Sequence, residues 1–130
     1  MAEPRAKVLD FEASVGTDGR LTARGESFRP PESWSAEHLV LAGLVRCSLT
    51  SLGYHARREG IEVTGWGDAS GTVTKREDDG RYAFVEITCR LDVELTPAPD
   101  DLEALLGKAE RDCFIGASLT AKPTYVWNVA

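Results

Sequence analysis

Apolar and polar positions divide the chain into stretches of different period. From Lys7 to Arg24 apolar residues alternate loosely around Gly16-Thr17-Asp18-Gly19, which predicts two strands joined by a turn. Pro30 and Pro31 remove backbone donors and restrict the chain, so 28–34 is expected to be a loop. Ser35 is a good N-cap, and the run that follows reaches Glu59 without proline and meets Gly60, which predicts the longest helix. Within it Val40, Leu44, Cys47, Ser51 and Tyr54 recur at helical spacing, placing Cys47 in an apolar stripe. Residues 61–75 and 82–95 are rich in Val, Ile, Thr and aromatics and are separated by Glu77-Asp78-Asp79-Gly80, so they read as a longer hairpin. Strict alternation would put Ala83, Val85, Ile87, Cys89, Leu91 and Val93 on one buried face. Beyond Pro97 and Pro99, Asp100 and Asp101 open a second helix, along which Leu102, Leu106, Ala109 and Cys113 form a stripe. Residues 124–129 predict a last strand with Tyr125 and Trp127 on one face.

Strands and helices segregated in this order predict an α+β fold, and 130 residues suit one domain spanning 1–130. The longest uninterrupted apolar run, Leu39 to Val45, is far short of the roughly 20 residues a bilayer crossing needs, so no membrane partner is expected. The first eleven residues interleave charges with apolar side chains and lack the core of a secretory signal, so the expected location is cytoplasmic. A formal charge of -6 opposes binding to nucleic acid. The one basic cluster, Arg57 and Arg58, falls at the end of the long helix, where cations complement the backbone dipole.

Chemistry is left to the thiols. Cys47, Cys89 and Cys113 are an odd number without close spacing, which excludes a disulfide scaffold, and the two histidines form no metal-binding motif. No metal is assigned, and no nucleotide or flavin motif implies a cofactor. Cys89 reads as a small core residue. Cys47 and Cys113 lie on separate predicted helices, and only geometry decides whether their sulfurs meet. If they do, a Cys47 thiolate attacks a peroxide, becomes a sulfenic acid, and condenses with Cys113 to a disulfide. An apolar setting raises a thiol's pKa, so that first step needs a nearby cation.

The run from Ser35-Ala-Glu-His-Leu to Arg46-Cys47 resembles the OsmC/Ohr family, in which Pro-Glu-x-Leu precedes a helix-borne cysteine, and Asp112-Cys113-Phe114-Ile115-Gly116 resembles the family's second cysteine motif. Ala36 stands where the family usually has proline, Phe114 follows the second cysteine in place of proline, and Arg46 adjoins Cys47. The resemblance implies antiparallel sheets packed around two long helices, an intertwined homodimer, and thiol-dependent reduction of organic hydroperoxides with a dithiol or lipoyl-type reductant. It makes Cys47 the peroxidatic cysteine, Cys113 the resolving one and Glu37 the carboxylate that holds an activating arginine. Arg24 and Arg29 both qualify as that arginine, and Arg29 is closer in sequence to Glu37. Ten residues of helix span about 15 Å, so Glu37 is expected to serve the Cys47 of a second subunit. The alternative is an OsmC-like dimer without peroxidase activity that binds a lipophilic or electrophilic ligand in its interface cleft, and a third is a structural dimer whose cysteines only pack.

Overall fold

The computed structural model describes residues 6–130, of which those up to Ser35 form one compact unit and Ala36–Ala130 a second. The first unit is a three-stranded antiparallel sheet of β1 (Ser14–Val15), β2 (Leu21–Ala23) and β3 (Glu26–Phe28), in that order. The hairpin expected over 7–24 is present but shorter, pairing Ser14 with Thr22 and Val15 with Leu21. β3 is an addition. It arises because Arg24 and Gly25 take positive φ of 55° and 78°, the mirror-image two-residue turn whose twist matches antiparallel strands.

The second unit opens with α1 (Ala36–Arg58), close to the predicted bounds, with Glu37 in its first turn and Arg57 and Arg58 in its last. It ends where Gly60 adopts φ 72°, a left-handed conformation that glycine adopts without steric cost. The Gly60 N–H then reaches the Arg57 carbonyl at 3.0 Å and the Ile61 N–H the Ala56 carbonyl at 2.9 Å, satisfying the helix's last acceptors. The buried line of α1 runs through Leu44, Ser48, Ser51, Leu52 and Ala56. This corrects the predicted stripe, since Cys47 is half-buried and Tyr54 is 49% exposed.

β4 (Glu62–Lys75) and β5 (Tyr82–Thr96) form the long antiparallel hairpin, in register from Glu62 opposite Thr96 to Lys75 opposite Tyr82. Opposite Thr72 and Val73 the register shifts, so Glu86 and Phe84 are the paired residues and Val85 is the extra one. A bulge breaks the period of two. Val85 is therefore exposed, against expectation, and Phe84 packs towards the core, while Ile87, Cys89, Leu91, Val93 and Leu95 remain buried as alternation requires. On the facing strand, a Cβ at Gly65 would lie 3.0 Å from Leu49 of α1, so the missing side chain lets the helix pack closely on the sheet.

α2 (Leu102–Arg111) begins at Asp101, whose carboxylate accepts the Ala104 N–H at 3.1 Å. A separate short helix, α3 (Phe114–Ser118), follows, and β6 (Thr124–Val129) returns beside β5. That last pairing is parallel, so the second sheet, ordered β4-β5-β6, is mixed where antiparallel strands were expected. α1 is long at 23 residues, whereas α2 has 10. Two core clusters lie between helices and sheet. One contains Leu52, Ile61, Val93 and Leu105, and the other Leu44, Ile87, Leu91, Cys89 and Cys113. Burying each such aliphatic side chain contributes about 1.5–3 kcal/mol.

Candidate functional site

Cys47 and Cys113 come together in the second of these clusters. Cys47 projects from the middle of α1. Cys113 is not the last residue of α2, as its stripe suggested, but the N-cap of α3. Its position follows from three polar ties. Ser51 of α1 donates to the Ala109 carbonyl at 2.8 Å, and His55 Nε2 meets the Asp112 carboxylate at 2.7 Å. From β6 the Trp127 indole donates to Glu110 at 3.0 Å. The end of α2 is thereby fixed against α1 and β6, and the chain turns at Cys113 into α3.

Two successive amides of α3 face the two sulfurs. The Ile115 N–H donates to Cys47 Sγ at 3.5 Å and the Gly116 N–H to Cys113 Sγ at 3.4 Å. The two thiols share one core cluster, close enough for each to shift the other's ionisation. Ser48, one residue along α1 and fully buried, places its hydroxyl 3.4 Å from Cys113 Sγ and donates to the Leu44 carbonyl at 2.8 Å. From β6, the Tyr125 hydroxyl lies over Gly116, where a Cβ would collide with it and stand 3.5 Å from the Cys113 sulfur. Tyr125 stacks on Trp127 with centroids 6.4 Å apart, which holds its ring.

The two thiols differ. Burial pushes Cys47 above the ordinary thiol range, offset only in part by the Ile115 N–H, and the neighbouring Cys113 raises it further. Burial opposes ionisation of Cys113 too, but the Ser48 hydroxyl, the Gly116 N–H, the Cys47 thiol and the Tyr125 hydroxyl outweigh it and hold that thiol below its usual range. Burial and then the Cys113 sulfur push the Tyr125 phenol up. Cys89, on the inner face of β5, is pushed up to about 11, chiefly by burial, and stays neutral near pH 7, as a core thiol should. Access runs the other way, since Cys47 is partly exposed and Cys113 is 0% exposed.

Of the other predicted residues, Glu37 stands in the first turn of α1, ten positions before Cys47 on the same helix. Arg24 forms the tip of the β2–β3 turn and Arg29 follows β3, both within the N-terminal unit. Ser48 and Tyr125 were not singled out in the sequence. A serine on the buried side of a helix was the available signal, because a buried hydroxyl requires a partner. Between α1 and β4 lies an open groove of about 470 Å³ with Leu41, Val45, Leu49, Trp66 and Arg46 in its walls. Among the described residues no group of His, Cys, Asp or Glu could hold a metal ion, and no helix is long and apolar enough to cross a membrane.

No curated protein matches the sequence. Solved structures do. An OsmC-like protein from Mycoplasma pneumoniae is 15% identical, covers 97% of this chain and 98% of its own, and superposes with a TM-score of 0.67. The organic hydroperoxide resistance protein OhrB of Bacillus subtilis is 20% identical over 93% of this chain and 96% of its own, with a TM-score of 0.54. An OsmC-like protein of unknown function from Vibrio cholerae is 18% identical over 85% and 82%, with a TM-score of 0.65. At these identities the likeness carries the fold. A family model described as OsmC-like protein matches residues 29–128, a span that takes in α1, both sheet-forming hairpin strands, the two thiols and most of β6. With its order of elements and its paired cysteines, the chain belongs to the OsmC-like protein family.

Proposed function

We propose that this protein is a thiol-dependent reductase of organic hydroperoxides, and the observation that carries the reading is that the Cys47 and Cys113 sulfurs share one cluster and accept from successive amides of α3 in an OsmC-like chain. The Cys47 thiolate attacks the terminal peroxide oxygen, the O–O bond breaks, and the alcohol leaves with a proton, so that Cys47 becomes a sulfenic acid. The Cys113 sulfur then attacks the Cys47 sulfur, the S–S bond forms and water leaves. A dithiol of the lipoyl type returns two electrons and resets the pair. Cys47 suits the first role because it is the more accessible sulfur. Leu41, Val45 and Phe84 pack around its cluster, which favours an alkyl or aryl peroxide over hydrogen peroxide. Its raised pKa calls for a cation, supplied by Arg29 or Arg24 and held by Glu37 of a second subunit in a homodimer.

The test is consumption of cumene hydroperoxide by the reduced protein with a dithiol, beside Cys47→Ser and Cys113→Ser. Turnover abolished in Cys47→Ser, with overoxidation of Cys47 in Cys113→Ser, is the expected result. Absent turnover in a folded dimer with slow, unselective thiol modification sinks it. The groove beside α1 would then favour the second reading, a binder of small lipophilic ligands.

A further inference from the structure

Three side chains on one row of α1 grip the segment that carries Cys113. Cys47, Ser51 and His55 stand at four-residue intervals, so they share one face of the helix, each about 6 Å further along its axis. Cys47 Sγ accepts from the Ile115 N–H of α3 at 3.5 Å, and Ser51 donates to the Ala109 carbonyl of α2 at 2.8 Å. His55 Nε2 meets the Asp112 carboxylate, between the two helices, at 2.7 Å. This last contact has no task in the reductase reading. Asp112 is the C-cap of α2 and Cys113 the N-cap of α3, so a hold on the Asp112 side chain is a hold one residue from the thiol.

The direction of the His55–Asp112 bond is set. Arg111, and then His55, keep the Asp112 carboxylate ionised near neutral pH, so it can only accept, and Nε2 carries the proton. The imidazole is largely enclosed, with its side chain 12% exposed, and the Tyr54 ring meets it edge-on with centroids 5.2 Å apart. Arg111 approaches the same carboxylate from α2 itself and therefore ties it to nothing beyond that helix. The Cys113 sulfur, by contrast, is held by partners that it has to leave, the Gly116 N–H and the Ser48 hydroxyl, each at 3.4 Å. When it turns from them to bond with Cys47, its backbone has to stay in place.

We propose that His55 and Asp112 are positioning residues for resolution, whose bond holds Cys113 against α1 so that it meets the Cys47 sulfenic acid before a second peroxide does. The role presupposes the reductase reading above. At the sulfenic acid two reactions compete. In one, the Cys113 thiol gives up its proton to the sulfenic hydroxyl, its sulfur bonds to Cys47 and water leaves. In the other, a second hydroperoxide transfers an oxygen to the Cys47 sulfur, its O–O bond breaks, the alcohol departs and a sulfinic acid remains. The first is intramolecular, and its rate scales with the effective concentration of Cys113 at Cys47. A contact that holds the α2–α3 junction on α1 raises that concentration, and by linkage the contact and the disulfide favour each other to the same degree.

Two measurements on the full-length protein test the pair, and only the second needs peroxide. The Cys47–Cys113 disulfide, formed with diamide, is equilibrated with reduced and oxidised dithiothreitol near pH 7. In His55→Ala and in Asp112→Ala the balance is expected to move towards the dithiol by about three- to ten-fold, the range of one partly exposed hydrogen bond to a charged group. The double variant should move no further than either single one, since both remove the same bond. His55→Gln, whose amide can donate from nearly the same place, should return most of the loss. Asp101→Ala removes the N-cap at the far end of α2 and should leave the balance in place. Under cumene hydroperoxide, the sulfinic acid formed at Cys47 per turnover, read by mass spectrometry, is expected to rise by a similar factor in the alanine variants, while the first reaction of reduced Cys47 with peroxide keeps its rate. An unchanged balance in both alanine variants, an equal shift in Asp101→Ala or an unchanged sulfinic yield overturns the positioning role. If the balance moves as expected but no hydroperoxide is consumed, the reductase reading fails and the hold on Cys113 stands.

Discussion

Gly116 decides how near the Tyr125 hydroxyl can come to Cys113. A methyl group there would occupy the hydroxyl's place and lie 3.5 Å from the Cys113 sulfur and 3.6 Å from Leu44. Since the obstacle is the far end of a side chain, Gly116→Ala should fold at a cost of about 1–3 kcal/mol, with the phenol displaced. Its urea midpoint should fall by the corresponding amount at constant slope, and an unchanged midpoint would show that the ring yields freely. Arg29 is the residue to change for Cys47. The raised Cys47 pKa leaves little thiolate at neutral pH, so Arg29→Ala is expected to slow peroxide consumption at pH 7 by ten-fold or more, on the order of one to two pKa units. The activity should recover as pH rises above the ordinary thiol range. Arg24→Ala measured alongside separates the two candidates.

At the scale of elements, the site depends on how α2 is anchored. Ser51→Ala removes the donor to the Ala109 carbonyl near the end of α2 and should lower stability by about 1–2 kcal/mol, read as a fall in the urea midpoint at constant slope. The junction before Cys113 carries an acid-sensitive tie. Asp112 is held down to about 2, first by Arg111 and then by His55. A depressed carboxylate contributes stability in full above its unfolded value near 3.9, and the contribution is lost as pH falls towards 2. Asp112→Asn should therefore lose less stability than the parent between about pH 4 and pH 2, as measured by thermal midpoints, and equal losses would show the tie to be idle. The long elements were legible in the sequence because period and capping extend over many residues. α1 stops at Gly60, and the β4–β5 hairpin turns near Gly80, where local chemistry demands it. α3 was not legible, because its 5 residues are too few to show a helical period, and Cys113 was read as the end of α2. The bulge at Val85 was equally silent, since one inserted residue changes which face is buried without changing composition. Cys47 and Cys113 stood out by resemblance. Ser48 beside the Cys113 sulfur and Tyr125 over Gly116 become visible only when α1, α3 and β6 pack together.

At the scale of the whole molecule, the N-terminal unit leaves Val8, Phe11, Val15 and Phe28 exposed, apolar surface of the kind that a partner subunit covers. A shared site can be tested by mixing. In hybrids of Glu37→Gln and Cys47→Ser protomers, one of the two sites regains both an intact thiol and an intact carboxylate if Glu37 acts across the dimer. Hybrids are then expected to recover up to about half of parental activity, whereas two inactive parents giving inactive hybrids would place Glu37 with its own Cys47. The parallel return of β6 has a further consequence for biosynthesis. β4 and β5 pair as neighbours in sequence, but β6 docks only after α2 and α3 have been crossed, and contacts so distant in sequence form late. Tyr125 arrives with that strand. Until it docks, an emerging chain carries three cysteines with little to distinguish them, so premature oxidation can link Cys89 as readily as Cys47, and the finished fold is what confers the order in which the thiols react.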